Sequence, residues 1–323
     1  MNVHNATDRI LITGSNGFIG KHLTKGASRE GLKIRATDIS SPSDLPDDVE
    51  FVCGDITSIE FNRTITKDLV GVIHLAAVSR VSTAMSDPAN CILTNVSGTA
   101  ALLQALSEMR NKPWFIMIST REVEQITNPD TFPGFTNIYA ISKRAAEDIA
   151  IWFCRNNNSR LYIFRLSDVY GDLESGNGTT KVLPIFLSRA LQNLQIEVNH
   201  PDMPLYFSHI KDVVSALLQG VKDIRCINAG IEIRKVWPDQ CTSLLDLAKL
   251  ICTLTSSHSE IRVATGLKTF PDPVKSDIDG CLSEYQFKQT LLLEDGLRSL
   301  IMDMNKTGRW FDSQSNDCAG YKL

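Results

Sequence analysis

Two hydrophobic patterns alternate along the first half of the chain. Ile10-Leu11-Ile12, Val70-Gly71-Val72-Ile73-His74-Leu75-Ala76-Ala77 and Trp114-Phe115-Ile116-Met117-Ile118 are apolar at nearly every position, as strands covered on both faces of a parallel sheet must be. Shorter runs at 32–37, 50–53 and 161–165 read as further strands, and 95–106 and 139–156 carry the helical period. Strand and helix alternating in this way predict an α/β fold with a doubly wound parallel sheet. Polar loops fall at 40–48 and around Pro88. From about Gly171 the alternation stops. A glycine-rich loop at 174–179 precedes helical periods at 181–193, 212–221, 243–255 and 293–304, with a strand expected at 225–229. Residues 1–170 are therefore read as one domain and 171–323 as a smaller C-terminal α/β lobe, some of whose segments return to the sheet.

Composition narrows the function classes. The 323 residues are 43% hydrophobic and 22% charged, with a formal net charge of −4, so no basic surface for nucleic acid is expected. No apolar stretch reaches membrane-spanning length, and residues 1–8 lack both a basic and an apolar region, which leads to the expectation of a cytoplasmic protein. The eight cysteines are scattered without a Cys-x-x-Cys pair. Most sit among apolar neighbours and read as buried thiols, and no metal site is expected.

Chemistry enters at the end of the first strand. In Gly14-Ser15-Asn16-Gly17-Phe18-Ile19-Gly20 three glycines, separated by two intervening residues each, lead from strand to helix. Glycine serves where the backbone turns at positive φ, where it approaches a ligand, and where helix and strand pack closely. The amides of the first helical turn then face an anion, read here as a pyrophosphate. Asp38 ends the second strand, 18 residues after Gly20. A carboxylate there accepts ribose hydroxyls and repels a 2′-phosphate, so NAD is favoured over NADP. Asp55 is placed to bond an adenine amino group or to cap the next helix, and Ala76-Ala77 leave room for a flat cofactor against the backbone.

Tyr139 and Lys143 lie one turn apart on one helix face. A phenol with a pKa of ~10 is a poor base at neutral pH, but a neighbouring ammonium and a bound nicotinamide cation favour the phenolate. It then accepts the proton of a substrate alcohol that Thr120, at a strand end, positions.

These residues, with Asp55-Ile56, His74-Leu75-Ala76-Ala77, Asn95-Val96-x-Gly98-Thr99, Ser119-Thr120, Arg165, Val169-Tyr170-Gly171 and His209 with Asp212-Val213-Val214, form a pattern that resembles the extended short-chain dehydrogenase/reductases. Within them it resembles the NAD-dependent epimerase/dehydratase branch acting on nucleotide sugars. The resemblance implies a Rossmann-type sheet, a homodimer formed through helices near 100–109 and 144–153, and oxidation of a sugar hydroxyl to a ketone that is then used. It places the cofactor against Gly14, Asn16, Gly17, Phe18, Ile19, Gly20, Asp38, Asp55, Ile56, Leu75, Ala76, Ala77, Asn95, Ser119, Tyr139 and Lys143. On the substrate side stand Ser79, Arg80, Thr120, Arg121, Asp168 and Arg189.

Epimerisation needs only Thr120, Tyr139 and Lys143. Glu122, in a run like the Ser-Thr-x-Glu-Val of dehydratases and decarboxylases, could take a proton from C5 of a 4-keto sugar; alternatively it is a loop carboxylate paired with Arg121. Dehydratases often carry an acid where this chain has Arg121. Three further departures are Leu205, where the family places a phosphate-binding arginine, Asp168 in place of an asparagine, and Glu124 in place of a tyrosine. Arg189, Arg234 and Lys181 are candidates for the missing phosphate contact. His209 reads as a hydrogen-bonded core histidine. Alternatives to epimerisation are dehydration or decarboxylation, an NAD(H)-exchanging dehydrogenase, and a non-catalytic NAD-binding module.

Overall fold

The computed structural model describes residues 8–126, 137–172, 182–264 and 285–307. Its first part runs β1 (Arg9–Thr13), α1 (Phe18–Arg29), β2 (Lys33–Asp38), β3 (Glu50–Cys53), α2 (Ile59–Ile65), β4 (Leu69–His74), α3 (Val81–Ser86) and α4 (Pro88–Ile92). A π-helical stretch (Leu93–Gly98) then leads into α5 (Thr99–Ser107), β5 (Trp114–Thr120), α6 (Val123–Ile126), α7 (Ile138–Asn157), β6 (Arg160–Leu166) and β7 (Asp168–Tyr170). Next come α8 (Val182–Leu191), β8 (Ile196–Val198), β9 (Pro204–Leu205), β10 (Phe207–His209), α9 (Ile210–Cys226) and β11 (Gly230–Val236). The last elements are β12 (Thr242–Ser243), α10 (Leu244–Thr255), β13 (Ile261–Val263) and α11 (Leu293–Thr307).

Seven strands form one parallel sheet in the order β11-β6-β5-β4-β1-β2-β3. The continuous apolar runs follow from this, because successive side chains feed opposite layers. Ile10, Ile12, Ile116 and Phe164 pack with Leu23 of α1 and with Val213, Leu217 and Val221 of α9. Leu11, Phe115, Met117 and Ile163 face the other way, against Ile65 of α2, Leu102 and Leu106 of α5, and Ala146 and Ala150 of α7. Each such Ile, Leu or Phe removed from water contributes about 1.5–3 kcal/mol. The order reverses between β1 and β4, and the crevice beyond their carboxyl ends is where a ligand fits such a sheet.

A second core, with Leu183, Phe186, Leu187, Leu247, Ile251, Leu300 and Met304, joins α8, α10 and α11 around three two-stranded pairings, β7 with β10, β8 with β13 and β9 with β12. It is tied back to α9 by Asp212, whose carboxylate accepts the Thr290 and Leu291 amides at 3.0 Å each.

Several expectations need correction. The strand expected at 225–229 is displaced: α9 runs on to Cys226 because Val221 and Ile224 continue its apolar face, and β11 begins only at Gly230. Pro88 opens a helix, with the Asp87 side chain accepting from the Asn90 amide ahead of it. The helix read at 95–106 carries a π turn through Asn95. Among the described cysteines only Cys91 and Cys154 are buried; Cys53, Cys226 and Cys241 are exposed and Cys252 is intermediate, so local apolar neighbours were a poor guide. No described helix is long and apolar enough to cross a membrane, and no cluster of three or more described His, Cys, Asp or Glu residues is arranged to hold a metal. The loop read at 174–179 lies outside the described residues.

Candidate active site

The glycine turn brings β1 and α1 into close contact. Gly14 adopts φ +69°, and a Cβ there would sit 2.6 Å from the Ala76 amide nitrogen; one on Gly20 would sit 2.1 Å from the Gly14 carbonyl oxygen. Strand and helix therefore meet backbone to backbone. Gly17 is exposed and gives α1 no side-chain cap, so the helix's first amides remain available to an anion. Phe18 and Ile19 carry the turn into the helix, Ile19 packing against the sheet core. Asp38 closes over this turn: Oδ2 accepts the Asn16 amide at 3.0 Å and Oδ1 the Ser40 amide at 3.3 Å, while Asn16 Nδ2 reaches the Ser40 carbonyl at 2.5 Å.

A hydrogen-bond chain fixes the next strand end. The Ala76 amide donates to Thr13 Oγ1 at 3.2 Å, Thr13 Oγ1 and His74 Nδ1 are 2.8 Å apart, His74 Nε2 and Thr99 Oγ1 are 3.0 Å apart, and Thr99 donates to the Asn95 carbonyl at 2.7 Å. With the outer two directions fixed, His74 accepts at Nδ1 and donates from Nε2. Burial, aided by the Lys143 charge, holds its pKa down at about 3, so it stays neutral. None of these partners was expected from the sequence, because they come together only in the fold.

Four cofactor candidates have structural duties. Asn95 Oδ1 accepts the Val78 amide at 2.7 Å, and its Nδ2 donates to the Val78 carbonyl and to Ser142 Oγ, so its amide holds the loop after β4. Asp55 accepts the Thr57 amide, but the cap of α2 is Ser58, whose Oγ accepts from Phe61; the capping role expected of Asp55 is corrected. Ile56 is buried, its carbonyl taken by Asn62, and Leu75 continues β4 by donating to the Thr13 carbonyl at 3.2 Å. Ser119 differs: its Oγ is buried without a hydrogen-bond partner at the carboxyl end of β5, a polar atom left for a ligand.

Thr120 is the last residue of β5, and its hydroxyl lies beside Tyr139 on the first turn of α7, where it favours the charged phenol. Asn137 caps that helix by accepting the Ala140 amide at 2.9 Å, and its Nδ2 donates to Glu122 Oε2 at 2.7 Å. This overturns a Glu122 paired with Arg121. The guanidinium of Arg121 instead lies over the Tyr206 ring, 4.5 Å from its centroid. Burial raises the Glu122 pKa; the Asn137 hydrogen bond opposes that, and the Asp168 charge adds to it. Asn137 was missed, although an Asn just ahead of the Tyr139 helix carries a capping signal.

Lys143 is buried, and burial lowers it to about 8 despite the Glu147 carboxylate one turn on. Tyr139 is pushed up, first by burial and then by Glu122, with the Thr120 hydroxyl opposing. Without the positive charge of a bound cofactor, the phenolate is thus disfavoured.

Glu147 in turn grips Arg165, Oε1 to Nε at 3.1 Å and Oε2 to Nη2 at 2.7 Å; Arg165 Nη1 meets Glu124 Oε1 at 3.3 Å, and Lys235 meets Glu124 at 3.0 Å. Glu124, the tyrosine replacement, therefore belongs to a buried ion network. Arg234 is corrected as a phosphate contact: it is buried, paired with Asp223 and Glu232, and stacked on Tyr162. Arg189 donates to the Gln195 carbonyl at the end of α8 and is not joined to the Thr120 group, while Ser79 and Arg80 are exposed ahead of α3. Asp168 donates its amide to the Tyr206 carbonyl at 3.1 Å. His209 is buried and caps α9 by accepting the Lys211 amide at 3.2 Å, a structural role as read. Lys181 lies outside the described residues.

Comparison with known proteins agrees with this geometry. Residues 10–230 match the model of the NAD dependent epimerase/dehydratase family. The chain is 26% identical to a UDP-N-acetyl-alpha-D-glucosaminuronate decarboxylase of Bacillus cytotoxicus, over 96% of this chain and 99% of that one. It is 29% identical to a dTDP-glucose 4,6-dehydratase of Streptomyces antibioticus, over 58% of this chain and 60% of that one. In fold it is similar to the UDP-glucose 4-epimerase of Thermotoga maritima, with a TM-score of 0.75 and 24% identity, covering 93% of this chain and all of that one. A glycine turn at a helix start, an orphaned Ser119 and a Thr120–Tyr139 pair ahead of Lys143 sit where that family model matches, and the chain belongs to the NAD-dependent epimerase/dehydratase family.

Proposed function

We propose that the chain epimerises a nucleotide sugar through a transient 4-keto intermediate, Thr120, Tyr139 and Lys143 acting at the C4 hydroxyl. The juxtaposition of Thr120 at the end of β5 with Tyr139 on the first turn of α7 carries this reading, since a proton acceptor and a positioning hydroxyl are needed together. Gly14 to Gly20 and Asp38 would hold the dinucleotide, Ser119 its nicotinamide end. Bound NAD supplies a hydride acceptor and a positive charge that offsets the upward push on Tyr139. Tyr139 then takes the hydroxyl proton as C4 becomes a ketone, and returns it when C4 is reduced from the other face. Lys143 must remain an ammonium to support the phenolate.

Glu122 supports a second reading. Half-buried near Tyr139 and held by Asn137, it would move a proton at C5 of the keto sugar, as dehydration or decarboxylation requires. Product analysis by NMR separates the two: an interconverted sugar supports epimerisation, and loss of water or carbon dioxide overturns it. A dimer through α5 and α7 is consistent with Ile141 and Trp152, exposed on one face of α7 at 43% and 65%.

Two expected results bear on this reading. The profile of kcat/KM against pH falls on its alkaline side near pH 8, where Lys143 loses its proton; activity constant to pH 10 would assign that role elsewhere. NAD binds the parent more tightly than NADP, and Asp38→Ala narrows the preference by about tenfold or more, as loss of one charge-assisted contact implies. Equal binding of both cofactors to the parent removes the role assigned to Asp38.

A further inference from the structure

We propose that Arg121 determines specificity in this cleft by binding a carboxylate on the sugar, so that the substrate is a nucleotide-linked uronic acid; this rests on reading Thr120 and Tyr139 as the C4 machinery. The Arg121 amide donates to the Leu166 carbonyl at 2.7 Å, so its backbone continues the pairing of β5 with β6. Its guanidinium crosses from the sheet to the second lobe and stacks on Tyr206, between β9 and β10. A stacked guanidinium keeps its N–H edge free for a planar, bidentate acceptor.

Arg121 holds no anion among the described residues, and unlike the half-buried Arg160 and Arg189, which donate to backbone carbonyls, its guanidinium is stacked on a ring. The inner arginines Arg35, Arg165 and Arg234 each hold a carboxylate, at 2.9, 2.7 and 2.6 Å. Half-buried Arg121 pairs with none among the described residues, and the nearest in sequence, Glu122, is held by Asn137. Burying a cation without a counter-charge is costly, and a ligand that brings one removes the cost. Glu122 and Asp168 border the same space and oppose a substrate anion. Burial, however, biases Glu122 toward its neutral form, and Arg121 supplies the opposite charge.

The sugar's own geometry selects which anion. The pyrophosphate hangs on C1, across the ring from C4. The carbons next to C4 are C3, with a hydroxyl, and C5, which carries C6. Arg121 directly follows the residue assigned to C4 and stacks on Tyr206 of the second lobe, and we assign it to the group on C5, the only neighbour of C4 that can carry a carboxylate. A carboxylate there satisfies both guanidinium edge donors, whereas a hydroxyl leaves the charge unpaired.

The test uses the full chain loaded with NAD and hexose and uronate pairs on the same nucleotide: UDP-glucose with UDP-glucuronic acid, and the dTDP and GDP equivalents. The uronate is expected to lead by at least about tenfold in kcat/KM on the accepted nucleotide. Arg121→Gln is expected to reduce the uronate-to-hexose ratio about 10- to 100-fold, mainly through KM, with Arg121→Lys recovering part of it. Thermal unfolding of both variants shows that the fold is kept. A parent that prefers the hexose, or a ratio unchanged in Arg121→Gln, overturns the proposal while leaving the C4 reading in place. A parent that oxidises neither sugar on any of the three nucleotides overturns both.

Discussion

Replacing Tyr139 with phenylalanine is expected to lower kcat by about 10²- to 10⁴-fold, the usual loss when a positioned proton acceptor is removed. The substitution deletes one oxygen and keeps the ring on the first turn of α7, so helix packing and the Asn137 cap are unchanged. Thr120 stays at the end of β5, where its Oγ1 accepts the Glu122 amide at 3.3 Å. NAD affinity, measured by calorimetry, is expected to remain within a few fold, because the glycine turn and Asp38 lie on separate elements. The loss therefore belongs to the chemical step. Full turnover by Tyr139→Phe would remove Tyr139 from the mechanism, and Glu122, the charge that most raises it, would become the leading proton acceptor.

Much of this site is legible in the sequence because its local parts carry local signals. The glycine spacing announces a turn that only backbone can fill, and Tyr139 with Lys143 announces a shared helix face. The strands are legible because both faces are buried and no polar alternation confuses them. What escapes is held by partners far apart in sequence. Arg165 meets Glu124 from 41 residues away, and Lys235 meets it from 111. His74 finds Thr13 from 61 residues away and Thr99 from 25. The edge strand β11 is expected too early, at 225–229, for a related reason. Its Glu232, Arg234 and Lys235 look like a solvated segment, yet Arg234 is buried through its ion pairs and its aromatic stack, which local pattern does not reveal.

The ion network also carries the largest expected effect on stability. Glu147→Leu is expected to destabilise the fold by about 3–5 kcal/mol, because it leaves a buried guanidinium without its main counter-charge. Arg165 is fully buried and its Glu147 contact is bidentate, while the surviving Glu124 contact is longer, at 3.3 Å, and is shared with Lys235. The double substitution Glu147→Leu/Arg165→Leu is expected to recover much of the loss, since the penalty comes from one stranded charge rather than from the missing attraction. Urea midpoints of the three proteins check both statements, and a Glu147→Leu midpoint equal to that of the parent would show that Glu124 alone suffices for Arg165. Glu147 also sits one turn beyond Lys143 and raises its proton affinity against burial. Losing that carboxylate must therefore move the alkaline fall of activity to lower pH even in the stable double variant. Fold and proposed chemistry meet at this point: the carboxylate that neutralises Arg165 in the core also helps keep Lys143 charged.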